Sequence, residues 1–167
     1  MGVKLLVFKI DNSDKMNSES NSDLLLHYKL SIHKPSIFSL NKIGQGFFVN
    51  LYWFLISFGK FEILQLFDSQ NTVHYTYITP KVYRFPFMNK TDIQIGPCYT
   101  YENYQKRGIY TFVLQFVISH YCHDGRNLWI YCNEKNEASR KTIEKVGFKK
   151  YGFASINKLT KVIKLRN

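Results

Sequence analysis

The sequence predicts an α/β domain in which a mixed sheet carries helices on both faces. Three observations predict it. Runs rich in β-branched and aromatic residues alternate with helix-like segments along the 167 residues. A basic turn containing one glycine joins a strand-like segment, 91–101, to a helix-like segment, 109–121. A further strand, 128–133, leads into a short helix, 136–148, whose start and stop signals are both legible. The length is that of one domain able to bury a substantial core. We divide it into an N-terminal strand with a polar link, 1–23, and a single domain, 24–167.

Residues 3–10 read as a strand, and 11–23, with repeated Ser and Asn, as a loop or disordered link. A strand is expected over 24–32. Residues 36–58 hold the helical part of the first half, interrupted at Gly44 and Gly46. Their apolar stretch, 47–58, is far short of the ~20 residues a membrane helix needs and reads as core. Residues 61–67 and 72–79 have strand composition, and the turn Asp68-Ser69-Gln70-Asn71 between them predicts an antiparallel hairpin. Pro80 stops the second strand, and the link 81–90 carries Pro86. In 91–101 apolar alternation holds to Ile95 and is broken by Gly96-Pro97. Proline donates nothing to a ladder, so a central strand bulges or splays there. Residues 150–157 and 161–165 read as two closing strands.

The stretch with most chemical content is Tyr104-Gln105-Lys106-Arg107-Gly108-Ile109-Tyr110. A helix that opens after such a turn aims unpaired N–H groups at one point, and Lys106 and Arg107 add full charge to the dipole. The result is an anion cradle of pyrophosphate size. Downstream, Asn136 is a plausible N-cap and Glu137 sits in the first turn, where the dipole favours a carboxylate. Gly147 ends that helix as the left-handed residue of a Schellman cap, with Ile143 and Phe148 as its hydrophobic pair.

In order and spacing these two pieces resemble the signatures of the GNAT superfamily of acetyl-CoA-dependent N-acyltransferases: Q/R-x-x-G-x-G/A opening one helix, then N-x-x-A/S opening another that ends in G-F. Tyr110 departs from the pattern, standing where the family prefers glycine or alanine. The resemblance covers roughly residues 90–153. It implies a mostly antiparallel sheet of about six or seven strands, splayed between two parallel strands, with acetyl-CoA as cosubstrate and no metal. It implies acetyl transfer to a primary amine of a small molecule, by direct transfer.

By the same resemblance the backbone of Cys98, Tyr99 and Thr100 pairs with the acetyl-pantetheine arm, one N–H polarising the thioester carbonyl. Gln105, Lys106, Arg107, Gly108, Ile109 and Tyr110 take the pyrophosphate, and Asn133, Asn136 and Ser139 flank the arm. An attacking amine must lose a proton, for which Glu102, Glu134 and His74 are the candidate bases. The family's general acid, a tyrosine in the capped helix, is replaced by Ile143, and Tyr99, Tyr101 and Tyr131 on the flanking strands are its candidate substitutes. His74 and Arg84 are assigned to the acceptor. The link and following strand look similar to acetyltransferases of bacterial surface-sugar synthesis, which implies an amino sugar, phosphorylated or nucleotide-linked. Each residue also has a structural reading: Glu134 as a solvated loop acid, His74 as a packed core residue, Cys98 as a small buried thiol, Asn136 as a cap only. Ile143 supports an alternative in which the chain is a catalytically inactive module that binds CoA or docks a partner.

The formal net charge is +11, and residues 140–167 hold nine Lys or Arg against Glu144 alone. Three readings compete: an AT-rich coding bias, attraction of an acidic small molecule, and a nucleic-acid or membrane-surface patch. Nucleic acid ranks last, and a homodimer is compatible with the chain. Cys98, Cys122 and Cys132 are odd in number and without paired spacing, which points to a reducing cytoplasm. His120, Cys122 and His123 lack the distant second ligand pair of a zinc site. No membrane-spanning segment or cleavable leader is legible.

Overall fold

The computed structural model describes residues 4–11, 27–40, 45–123 and 125–166. Eight strands form one sheet: β1 (Lys4–Ile10), β2 (Lys29–His33), β3 (Glu62–Asp68), β4 (Asn71–Pro80), β5 (Ile93–Thr100), β6 (Leu128–Asn133), β7 (Lys149–Ile156) and β8 (Ile163–Arg166). Their order is β2-β3-β4-β5-β6-β1-β7-β8. Every neighbouring pair is antiparallel except β5 and β6, which are parallel. The sheet thus has one strand more than the six or seven expected.

β1 lies inside the sheet, pairing on one edge with β6 and on the other with β7. Leu5, Leu6, Val7, Phe8 and Ile10 are all buried, alternate ones entering the cores on opposite faces. Burial on both faces is what an unbroken apolar run such as Leu5-Leu6-Val7-Phe8 demands. Of the polar link expected over 11–23, only Asp11 falls among the described residues, where it pairs with Lys9. Of the strand expected over 24–32, the part from Lys29 forms β2, His27 is helical instead, and 24–26 lie outside the described residues.

Among the described residues three α-helices cover the sheet: α1 (Phe47–Ser57), α2 (Ile109–Tyr121) and α3 (Glu137–Lys145). The apolar residues of α2 join Ile143 and Val146 in a core against Phe8, Ile95 and Ile130 on one face. On the other face Trp53 of α1 packs with Val82, Phe85 and Met88 of the link against Ile63, Tyr77 and Trp129. The helical stretch expected over 36–58 is a 3-10 turn, Ile37–Ser39, followed by α1. Only Asn50, Trp53 and Ser57 of α1 are buried, so the expectation that 47–58 is core holds for its inner face and fails for its outer one. The sequence is apolar on all sides of that helix, and periodicity has nothing to distinguish them by.

The β3–β4 hairpin turns at Ser69 and Gln70, with Ser69 left-handed at φ 56°. α3 is capped at both ends as its residues require. Asn136 accepts from the Ser139 N–H at 3.1 Å. Gly147, at φ 99°, donates to Glu144 O at 3.0 Å and Phe148 donates to Ile143 O at 3.3 Å, completing the Schellman pattern over two buried side chains.

Candidate active site

The sheet opens where the sequence breaks the strand. β5 and β6 pair over Ile93, Gln94 and Ile95 against Leu128, Trp129 and Ile130, and no further. Gly96 then takes φ 112°, a conformation that side chains resist, and Pro97 brings no N–H with which to continue the ladder. Beyond them Cys98, Tyr99 and Thr100 stay paired with Thr76, Tyr75 and His74 of β4. Tyr101 donates its N–H to Val73 O at 3.0 Å. By strand alternation the Tyr99 N–H also faces β4, and those of Cys98 and Thr100 face the gap.

The closed end of the gap is pinned by Asp92, a buried carboxylate that accepts from the Trp129 indole at 2.7 Å, the Asn127 amide at 3.0 Å and the Asn89 N–H at 2.9 Å. With the Asn127 backbone N–H at 3.3 Å these make four donors, so its buried oxygens are satisfied. The other end runs onto the first turn of α2. Lys106 and Gly108 are both left-handed, at φ 61° and 79°. The first intrahelical bond goes from Phe112 to Gly108 O at 3.0 Å, so the N–H groups of Ile109, Tyr110 and Thr111 have no intrahelical acceptor. Gln105 folds back, its amide donating to Thr100 O at 3.1 Å. Arg107 lies over the Tyr104 ring, 5.0 Å from its centroid, and Tyr104 donates to Asp68 at 3.2 Å.

Two adjoining cavities result. One, of about 570 Å³, lies between the basic turn, β5 and the start of α3; the other, of about 220 Å³, lies within the strand gap. Cys98, Tyr110, Asn136 and Ser139 line both.

No family model and no curated protein matches the sequence. Solved structures do resemble the chain. An acetyltransferase of the GNAT family from Colwellia psychrerythraea superposes with a TM-score of 0.61 at 14% identity, over 89% of this chain and 53% of that one. A tandem GNAT protein of the clavulanic acid biosynthesis pathway superposes with a TM-score of 0.57 at 13% identity, over 90% and 51%. The chain has the GNAT fold. It spans about half the length of those two proteins. A predicted acetyltransferase from Clostridium acetobutylicum, solved with acetyl-CoA, is nearer in length: TM-score 0.51, 13% identity, 72% of this chain and 90% of that one.

Within this GNAT fold the larger cavity brings together His74, Cys98, Tyr99, Thr100, Gln105, Lys106, Gly108, Ile109, Tyr110, Asn136 and Ser139. Tyr131 and Asn133 line the smaller one. Glu102, Glu134, Arg84 and Arg107 line neither. Glu102 sits exposed in a 3-10 turn, Glu102–Tyr104, and Glu134 follows β6 with its N–H bonded to Lys4 O at 3.1 Å. Arg84 donates through Nε to Lys161 O at 3.1 Å and lies over the rings of Tyr52 and Trp53, holding the link against the β7–β8 turn. Asn133 accepts from the Lys135 N–H at 2.9 Å, so its side-chain oxygen, like that of Asn136, is already engaged.

His74 is fully buried, with Nδ1 2.7 Å from the Thr100 hydroxyl and Nε2 2.7 Å from that of Thr76. Burial lowers its pKa to about 3 from the ordinary 6.5, so it stays neutral with both nitrogens occupied. Burial likewise pushes the Cys98 thiol up to about 11, against partial relief from hydrogen bonds with Thr76 and Tyr110. A thiol held protonated in this way is no nucleophile. Burial also raises Tyr131, with the Arg84 guanidinium opposing.

Tyr110, expected with the pyrophosphate turn and noted as a departure from the motif, sends its side chain elsewhere. Its ring stacks on His74 with centroids 6.1 Å apart, and its hydroxyl meets Cys98, so it reaches into the gap between the strands. Burial raises its pKa well above the ordinary 10, and it is a protonated O–H donor at any physiological pH. Tyr104, Thr111, Ala138 and Thr142 complete the larger cavity. The helical spacing of Ala138 and Thr142 puts them on one face of α3, the signal that could have found them.

Proposed function

We propose that the chain transfers an acetyl group from acetyl-CoA to a primary amine of a small molecule, an amino sugar on a phosphate or nucleotide carrier being the acceptor class we favour. The observation that carries the reading is the strand gap that adjoins the open first turn of α2. The gap suits an extended amide-bearing arm, and the turn suits the pyrophosphate from which that arm hangs. The N–H groups of Ile109, Tyr110 and Thr111, with Lys106, would hold the phosphates. Those of Cys98 and Thr100 would pair with the arm, and the one nearest the thioester would stabilise the oxyanion of the tetrahedral intermediate.

Acetyl-CoA supplies an activated acyl group, and the chain's part is to hold the amine against it. Among the described residues no carboxylate or free imidazole lines either cavity, so the reading routes the amine proton through water rather than directly to Glu102, Glu134 or His74. Tyr110 lines the strand gap and its hydroxyl meets Cys98, and we assign it the return of the proton to the departing thiolate in place of the helix tyrosine that Ile143 replaces. The test is release of free thiol from acetyl-CoA with a panel of amines that includes amino-sugar nucleotides. Release with none of them, despite CoA binding, rejects the transfer reading.

One observation favours the second reading, an inactive module. The Tyr110 ring lies in the gap that the arm needs. Under that reading Tyr110→Ala would tighten CoA binding and yield no turnover, whereas under the first it would abolish turnover that the wild type shows.

A further inference from the structure

The outer face of α1 has no role in the site, and its composition is unusual for a surface. Phe48, Leu55 and Phe58 are 83%, 63% and 88% exposed. With Leu51 between them they follow helical spacing, i, i+3, i+7 and i+10, and so form one stripe along the helix. The 3-10 turn ahead of Leu40, whose carbonyl is bound by Asn50 on the inner face of α1 at 2.7 Å, also exposes Ile37 and Phe38, the latter 90%. An exposed apolar stripe such as that of α1 marks a docking face.

Phe58 adds an independent observation. It occupies the C-cap of α1 in the left-handed conformation, φ 53°. Glycine or asparagine ordinarily takes that position, and a bulky side chain there is strained. The chain thus places a phenylalanine where it costs backbone energy and gains no burial within the fold. That choice is explained if the ring is buried against something else.

Charge says what that something is. From Ile43 to Gly59 the sequence holds no charged residue; Lys60, exposed, follows the Phe58 end, and Lys34 is paired with Glu62 at 3.2 Å. The chain carries +11 in all. A second copy would set like net charges against each other, whereas an anionic lipid surface accepts both the apolar stripe and the positive field of the chain. We infer that the α1 face docks on anionic bilayers, with Phe48, Leu55 and Phe58 entering the acyl boundary.

Flotation with phosphatidylcholine vesicles, with and without phosphatidylglycerol, tests this. The wild type is expected to float with the phosphatidylglycerol vesicles, more weakly as salt rises, and to stay behind with phosphatidylcholine alone. Phe48→Ser with Phe58→Asn is expected to cut binding about a hundredfold, since each lost ring removes roughly a factor of ten. Both sites are exposed and Asn suits the left-handed cap, so the variant is expected to fold, as circular dichroism would check; Phe58→Asn alone, which relieves strain, serves as the second variant. A wild type that does not bind the anionic vesicles, or variants that bind them as well as it does, overturn the inference. So does dimerisation through the stripe, seen by sedimentation with no vesicle binding.

Discussion

Burial holds His74 neutral, its pKa lowered to about 3, and this makes the cleft wall a pH-dependent part of the fold. Between pH 3 and 6.5 the unfolded chain binds a proton there and the native state does not. The group's contribution to stability is therefore full above about 6.5 and is lost as pH falls through that window. From pH 7 to pH 5 we expect it to remove on the order of 2 kcal/mol of unfolding free energy. His74→Asn should flatten that part of the pH profile in urea denaturation, and an unchanged slope would contradict the assignment. The reading of His74 as a packed core residue was legible in a sequence where it lies within a β-branched and aromatic run. Tyr110 was legible as a member of the basic turn and as a mismatch to its motif. The break at Gly96-Pro97 was legible, but that the Tyr110 side chain turns toward it and meets Cys98 depends on how α2 packs on the sheet, which no local pattern reports.

At the scale of elements, α3 was the most legible, because both of its ends are specified by local chemistry: an asparagine that accepts from Ser139 and a glycine that takes a positive φ. Asn136→Ala is expected to cost about 1 kcal/mol in chemical denaturation. It should also weaken acetyl-CoA binding if the start of α3 lines the cofactor cleft as proposed, whereas loss of stability with unaltered binding would place the cap outside it. The boundaries of α2 and β6 were read from sequence as observed, since Gly108 and the apolar period mark them. α1 was legible as an element and misjudged as to burial, because an all-apolar helix gives no sign of which side meets the sheet.

At the scale of the molecule the strand order was the least legible property. β1 reaches across more than a hundred residues to pair with β6 and β7, and nothing in residues 4–10 names those partners. Its importance is testable: Phe8, fully buried in the α2 core, should cost about 3–5 kcal/mol when replaced by alanine, measured by urea denaturation. A cost below about 1 kcal/mol, the range of exposed sites, would mean that the strand is not the centre of the sheet. The central claim is that the strand gap and the first turn of α2 form a single acetyl-CoA site. Calorimetric titration of acetyl-CoA into the wild type, Arg107→Ala and Gly108→Val tests it most directly. Gly108 is left-handed and at the mouth of the cleft, so valine strains the turn and crowds the phosphates, while Arg107 is turned onto Tyr104 and contributes charge alone. The account predicts tight binding by the wild type, a modest loss in Arg107→Ala, and no measurable heat with a folded Gly108→Val. Equal affinity in the wild type and the folded Gly108→Val variant would contradict it.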